Sequence, residues 1–356
     1  MDKIKNKKEY IILGVMSGTS IDGVDLVISK FILNKNKWRF SILSTETINY
    51  SPYWIEILNN AINFEKDKLL KLDVKYSEFL AQIINKFCEE NIFEIDFVSS
   101  HGHTIFHEPE NGLTYQIGNN RILSHLISKT LVCDFRTQDV SFGGQGAPLV
   151  PVGDHHLFSD YSATLNLGGF ANITKLLNPI IAYDICPVNT VLNSLSTKLK
   201  MSYDYGGEIA SKGKIINKML EELNFINFYD FPPPKSLGIE WVKKEIDPII
   251  SKYETFPVKD LLHTFVIHIS LKISSQLPSE GKILITGGGV YNDFLINEIQ
   301  KQSKCELVKP SKDIIEFKEA LIFAFLGLLK LRKEINCFSS VTGAKKDHSS
   351  GIIYKV

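Results

Sequence analysis

The chain has 356 residues, is 44% hydrophobic and 22% charged, and balances 40 Lys+Arg against 40 Asp+Glu. That composition excludes long disorder and fibrous classes, and the length predicts two domains at about 100–200 residues each. Zero net charge argues against a dedicated nucleic-acid or membrane-surface binder. The longest apolar run, Ala320 to Leu329, is half of the roughly 20 residues that a membrane span needs. The apolar stretch after the basic N-terminus is too short for a signal-peptide core. Five widely spaced cysteines without a C-x-x-C pair argue against a disulfide framework or a zinc knuckle and fit a reducing cytoplasm.

In chain order, apolar runs predict strands at Tyr10–Met16, Val24–Ile32 and Arg39–Ile48. The first two are joined by so short a turn that they must be antiparallel. Helical spacing follows at Tyr53–Asn63 and Leu69–Glu90, then a strand at Phe97–Ser100 entering a His-rich loop, a helix at Arg121–Ser128 and a strand at Thr130–Asp134. The Gly-rich stretch Ser141–Gly146 marks the expected domain boundary. Beyond it the pattern restarts, with strands at Ser162–Leu167, Ala171–Leu177 and Ile180–Ile185 and a helix at Val188–Leu199. A loop at Pro232–Pro234, a helix at Lys259–Gln276, a strand at Lys282–Thr286 and helices at Asp293–Lys301 and Ile315–Lys333 complete the reading. Strand, glycine turn, strand thus occurs twice, a weak internal duplication by pattern. The expectation is an α/β chain with an N-terminal domain of 1–140, a second domain of 141–335, and a C-terminal segment of 336–356 returning to the first.

Three glycine turns close strands: Met16 to Gly23, with Ser17, Gly18, Thr19, Ser20 and Asp22; Leu165 to Asn172, with Gly168 and Gly169; and Ile285 to Val290, with Gly287, Gly288 and Gly289. Glycine admits close backbone approach to a ligand, and successive N–H groups form an anion nest. A single such turn is more often a tight hairpin. Three of them, with hydroxyls and Asp22 and Asp25 as oxygen donors for Mg²⁺, point to nucleotide phosphates. There is no P-loop motif.

The block Gly14-Val15-Met16-Ser17-Gly18-Thr19-Ser20-Ile21-Asp22-Gly23-Val24-Asp25 resembles the N-terminal signature of the anhydro-N-acetylmuramic acid kinases. The resemblance continues in order through Ser100-His101-Gly102-His103-Thr104, Asp134-Phe135-Arg136, Gly143-Gly144-Gln145-Gly146-Ala147-Pro148, Leu165 to Asn172, Tyr183-Asp184, Lys235-Ser236, Gly287 to Gly289, Glu319-Ala320 and Ser340 to Ala344. It implies the actin-like sugar-kinase fold (ASKHA class) with ATP in the cleft between two domains. It also implies a kinase that opens the 1,6-anhydro ring with water and phosphorylates O6. The products would be ADP and N-acetylmuramic acid 6-phosphate, in cytoplasmic peptidoglycan recycling. ATP and Mg²⁺ are the implied cofactors, a small anhydro amino sugar the partner, with no nucleic acid or membrane; a homodimer is a family-level expectation.

By place in the family pattern, Asp184 is the water-activating base. One carboxylate suffices, because the γ-phosphate captures the leaving O6. Read from residues alone, Asp184 could equally be an N-cap for the helix starting near Val188. The resemblance implies nucleotide contacts at Ser17 to Ser20, Asp22, Gly23, Asp25, Gly168, Gly169, Asn172 and Gly287 to Gly289, with Asp22 holding Mg²⁺ through water. It implies sugar contacts at His101, Arg136, Lys235 and Glu319. For Arg136 the bland alternative is a surface ion pair with Asp134 or Asp139; for Glu319, an exposed first-turn residue; for Lys235, a solvated loop. Two departures stand out: Ile185-Cys186 where Thr-Gly often follows the Asp, and His103 where Gln is usual. Two other classes remain. One is a metal-dependent hydrolase using His101 and His103, with His107 and Asp154-His155-His156 nearby in composition. The other is a non-catalytic actin-like muropeptide sensor.

Overall fold

A computed structural model of the chain describes residues 7–18 and 21–356. Among these, the first strands in chain order are β1 (Glu9–Ser17), β2 (Gly23–Asn34), β3 (Lys37–Asn49), β4 (Phe97–Ser100), β5 (His103–Glu108), β6 (Leu113–Ile117) and β7 (Leu131–Cys133). They are followed by β8 (Ala163–Leu167), β9 (Phe170–Lys175), β10 (Ile181–Pro187), β11 (Lys282–Thr286), β12 (Glu306–Val308) and β13 (Ile352–Tyr354). The chain divides into two compact units, Met1–Leu157 with Phe317–Val356, and Phe158–Glu316.

The two units are built alike. The first carries a six-stranded sheet in the order β13-β7-β4-β1-β2-β3, the second a five-stranded sheet in the order β10-β9-β8-β11-β12. In each, the first strand pairs antiparallel with the second and parallel with the strand that follows a helical excursion: β1 with β2 and β4, and β8 with β9 and β11. The duplication legible as strand, turn, strand is therefore a duplication of topology. The turns Ser17–Gly23 and Leu167–Phe170 occupy equivalent places in it.

Central strands explain the apolar runs. β1 is buried on both faces over most of its length, so its sequence is continuous rather than alternating. In the first unit Leu13, Val15, Leu26 and Ile28 meet Tyr76, Leu80 and Ile84, one stripe of the helix Lys66–Glu89 at a spacing of four. In the second unit Leu165, Ile173 and Ile285 pack with Leu261, Phe265 and Ile269 of the helix Val258–Gln276. Each such side chain contributes roughly 1.5–3 kcal/mol when fully buried. The run Ala320–Leu329 is interior helix, its residues almost wholly inaccessible. No helix among the described residues is long and apolar enough to cross a membrane.

Several boundaries depart from the sequence reading. The expected His-rich loop is a hairpin, with His103 opposite Ile117 and His107 opposite Thr114. The glycine-rich stretch Ser141–Gly146 lies inside the first unit rather than between units. It folds around a buried carboxylate, Gly146 N–H donating to Asp139 Oδ2 at 2.7 Å, and Gln145 N–H donates to the carbonyl of Thr342. The division falls instead at Leu157/Phe158, and the returning segment begins at Phe317, within the helix Lys312–Arg332, rather than near residue 336. That helix packs directly on β1, where a Cβ on Gly14 would overlap the Ala320 carbonyl oxygen.

Candidate active site

The turn after β1 holds the first set of expected nucleotide contacts. Thr19 and Ser20 lie outside the described residues. Ser17 is buried, and its hydroxyl sits in a polar chain: 2.6 Å from Tyr50 Oη and 2.8 Å from His103 Nδ1, with Tyr50 Oη 2.6 Å from Tyr76 Oη. Burial pushes the Tyr50 hydroxyl up to about 12 and lowers His103 to about 4, so the chain is neutral at physiological pH. The Ser17 side chain thus ties the end of β1 to the helix Lys66–Glu89 through Tyr50 and Tyr76. Gly18 is half-buried and its carbonyl lies 3.4 Å from Ile21 N. Asp22 is exposed, and half-buried Asp25 accepts from Thr47 Oγ1 at 2.6 Å. Gly23 has a packing reason: a Cβ there would come 2.6 Å from the Ile48 carbonyl oxygen.

Past β4, His101, Arg136 and Glu319 converge within the first unit. The Nδ1 of His101 lies 2.9 Å from the Gly102 carbonyl, which can only accept, so Nδ1 carries the proton. Its Nε2 then accepts from Arg136 Nε at 2.9 Å. Arg136 Nη1 donates to the Gly146 carbonyl at 2.6 Å. The guanidinium is held on two sides, and among the described residues no carboxylate lies within ion-pair distance of it. The alternative reading of Arg136, a surface ion pair with Asp134 or Asp139, is not what the structure shows. Asp134 accepts from Thr137 N–H, and Asp139 is buried beneath Gly146. Burial lowers Arg136 to about 10, with Glu319 and Asp139 opposing that shift, so it stays cationic. Glu319 lies two turns into its helix, which removes the first-turn reading. Its carboxyl is pushed up by desolvation, although the residue reaches solvent, and is pulled down by Arg136 and Lys318.

The second unit places its two glycine turns side by side at the carboxyl ends of β8 and β11, the position where open α/β sheets bind ligands. Cβ atoms on Gly287 and Gly289 would come within 2.9 Å of the Leu167 backbone, and Gly287 needs its positive φ of 82°. Gly288 and Gly169 are exposed on the same rim, with Gly168 half-buried beside them. The N–H groups of Val188 and Asn189 donate to the carbonyls of Gly169 and Gly168. Strand register aligns Thr286, Asn166, Asn172 and Asp184 across β11, β8, β9 and β10. Registered neighbours share one face of a sheet, so the Asp184 carboxylate stands in one polar row with Asn172, Asn166 and Thr286, and Thr286 leads directly into the Gly287–Gly289 turn. Of the row, the sequence pointed to Asn172 and Asp184; Asn166 and Thr286 were missed, because only pairing register reveals them.

Asp184 lies within β10, at an irregularity between Asp184 and Cys186. The following helix begins at Asn189, and its cap residue, Val188, makes no side-chain capping bond, so the N-cap reading of Asp184 falls. Its Oδ2 accepts from Leu237 N–H at 2.8 Å while its own N–H donates to the Lys235 carbonyl at 3.0 Å. Burial pushes the carboxyl above the usual range, against the Leu237 hydrogen bond. Lys235 thus reaches Asp184 through its backbone. Its ammonium donates to the carbonyls of Phe228 and Tyr229 at 3.2 and 3.1 Å and lies over the Phe228 ring, fixing the loop rather than standing solvated. Cys186 is wholly buried and its thiol is pushed well up by desolvation, the mark of a packing residue.

The metal-hydrolase reading does not survive. His101 Nε2 is occupied by a guanidinium and His103 Nδ1 by Ser17. Asp154 is in a buried ion pair with Lys318 at 2.8 Å, so the Asp154-His155-His156 run is no open donor set either.

A duplicated α/β sheet with glycine turns at equivalent strand ends defines an actin-like protein of the sugar-kinase type. The sequence model of the family described as anhydro-N-acetylmuramic acid kinase matches residues 10–356. A protein of that name from Nitrosomonas europaea is 32% identical over 365 residues, covering 96% of this chain and 99% of that one. Those from Sulfurimonas denitrificans and Francisella tularensis subsp. novicida are 31% and 32% identical, covering 96% and 94% of this chain and 99% and 95% of theirs. Among solved structures, a ligand-bound xylulose kinase from Lactobacillus acidophilus is more distant, at 11% identity and a TM-score of 0.48 over 97% of this chain and 94% of that one. The chain belongs to the anhydro-N-acetylmuramic acid kinase family, and it is an enzyme of the kinase class.

Proposed function

We propose that the chain uses ATP to convert anhydro-N-acetylmuramic acid and water into N-acetylmuramic acid 6-phosphate and ADP, as a step of peptidoglycan recycling in the cytoplasm. The observation that carries this reading is Asp184: a half-buried carboxylate with a raised pKa, in one polar row with Asn172, Asn166 and Thr286, beside the strand ends from which the glycine turns of its sheet run. A carboxylate poised nearer neutrality accepts a proton more readily than an ordinary one. Asp184 takes a proton from the water that attacks the anomeric carbon. The C1–O6 bond breaks, and O6 bonds to the γ-phosphorus as ADP leaves. No acid is needed on O6, because the phosphoryl group captures its electron pair.

The glycine turns supply backbone N–H groups to the phosphates, and Arg136, oriented by His101, offers its guanidinium to the sugar's carboxylate. Glu319 accepts from a sugar hydroxyl. The carboxylates of Asp22 and Asp25 are a hard-oxygen donor set that fits Mg²⁺, and Mg²⁺ held there through water would offset phosphate charge. The test is ADP release from purified protein with ATP, Mg²⁺ and the anhydro sugar, beside Asp184→Asn. Sugar-dependent release that collapses in the variant is the expected result. No sugar-dependent release by folded, ATP-binding wild type would overturn the reading and favour the sensor.

A further inference from the structure

A second cluster lies one helical turn from Arg136, and nothing in the proposed chemistry uses it. Asp139, Cys337 and His348 are each buried, with one donor atom apiece gathered within 4.8 Å of one another. Asp139 Oδ1 is 3.0 Å from Cys337 Sγ and 3.5 Å from His348 Nε2. The backbone holds the set together: Cys337 and His348 face each other in an antiparallel bridge. Asp139 is fixed from its other side, Oδ2 accepting from Gly146 N–H.

The hydrogen bonds of His348 leave a defect. Its Nδ1 lies 3.0 Å from the Lys346 carbonyl, so Nδ1 carries a proton. In a neutral ring Nε2 is then an acceptor. That atom is buried without a hydrogen-bond partner and faces a carboxylate oxygen, another acceptor. An orphaned acceptor in a buried site loses its hydration without recovering a hydrogen bond. Oδ1 of Asp139 already accepts from Thr342 Oγ1 at 2.8 Å and from the thiol, and 3.5 Å is beyond hydrogen-bond distance for the imidazole.

We infer that Asp139, Cys337 and His348 form a binding site for a zinc-class divalent cation, with water in the fourth position. One thiolate, one imidazole and one carboxylate are the ligand types zinc takes, at about 2.0–2.3 Å each; tetrahedral geometry then sets ligand atoms about 3.3–3.6 Å apart. The observed 3.0 and 3.5 Å need only small adjustment. The Nδ1–H···O=C bond to Lys346 is the outer partner that aims a ligating imidazole. On binding, the Cys337 thiol loses its proton to solvent, one per metal, and Thr342 keeps its hydrogen bond to Asp139. The site ties the C-terminal segment to the helix Thr137–Ser141 that starts beside Arg136. It escaped the sequence because two ligands come from the C-terminus and the third from far upstream, with no repeating spacing.

The experiment loads the full chain with Co²⁺ after chelation, removes excess by gel filtration, and reads metal content and absorption. One Co²⁺ per chain is expected, with thiolate-to-cobalt charge-transfer absorption that Zn²⁺ abolishes. Cys337→Ser and His348→Gln should both lose stoichiometric metal, while Cys88→Ser keeps it. Folded wild type that retains no metal would overturn the site. Bound Co²⁺ without thiolate absorption would overturn it equally. The wild-type spectrum decides even where a variant fails to fold.

Discussion

Arg136 Nε donates to His101 Nε2 across 2.9 Å, and that bond exists only while the imidazole is neutral. Desolvation, with the Arg136 charge itself, holds His101 well below 6.5, so the guanidinium stays aimed throughout the neutral range. His101 is a positioning residue in this arrangement. His101→Ala should raise KM for the anhydro sugar about tenfold, the equivalent of one lost hydrogen bond of about 1.4 kcal/mol, with a smaller change in kcat. His101→Gln, whose carbonyl can still accept from Nε, should recover part of that loss. Steady-state kinetics of the two variants checks the split; equal effects on both parameters would mean that His101 is only a core residue.

In the proposed mechanism Asp184 is the base that takes the water's proton. Asn can still accept from Leu237 N–H but cannot take a proton from water, so Asp184→Asn should retain the fold and lose about 10²–10⁴ in kcat. Because burial raises the carboxyl's pKa, the acid limb of the wild-type pH–rate profile should lie above the ordinary aspartate range. Activity is expected to fall as pH drops through that limb, because the protonated carboxyl is no base. A profile flat down to pH 4 would contradict the assignment.

Buried neutral histidines make the fold acid-sensitive. Burial lowers His103 and His156 to about 4 and His268 to about 3, from 6.5. The unfolded chain binds these protons first, so stability is fully present above about pH 6.5 and is lost as pH falls toward 4. His103 alone accounts for about 3 kcal/mol at the full shift. The raised carboxyls of Asp73 and Asp184 act in the opposite sense, softening the limb nearest pH 4. Urea unfolding between pH 7 and 4.5 should show this slope. His103→Gln, which keeps a side-chain partner for Ser17 without a titrating ring, should flatten part of it.

The strands of both sheets and the long helices were legible because their apolar periods are set by burial in the chain's own order. β1, β2, β11 and the helix Val258–Gln276 came within two residues of their observed ends. The hairpin of β5 and β6 was hidden by its histidines: His103 is buried among Tyr50 and Tyr76 rather than presented by a loop. The boundary at Ser141–Gly146 was misread because glycines serve there to let the backbone close on Asp139. In the candidate site, motif order pointed to Asp184, Arg136 and the glycine turns. What each contacts is a long-range fact: Lys235 points its ammonium at Phe228 and Tyr229, and Ser17 is spent on Tyr50 and His103.

The glycines of the signature do two different jobs, and substitution separates them. Gly14 faces the Ala320 carbonyl so closely that a methyl group there would overlap it. Gly14→Ala should therefore force β1 away from the helix Lys312–Arg332, costing about 1–3 kcal/mol or more by overpacking. Gly288 is different: a Cβ there meets nothing nearer than Asn189 Nδ2 at 3.7 Å, its φ is not positive, and it lies on the exposed rim. Gly288→Ala should leave the unfolding free energy within about 0.5 kcal/mol of wild type. If backbone N–H groups of this turn meet the nucleotide, the added methyl intrudes only when ATP is bound, and KM for ATP should rise several-fold with the fold intact. Unfolding curves and ATP titrations on the two variants should thus move in opposite columns. A Gly288→Ala protein with unchanged ATP affinity would take the third turn out of the nucleotide site.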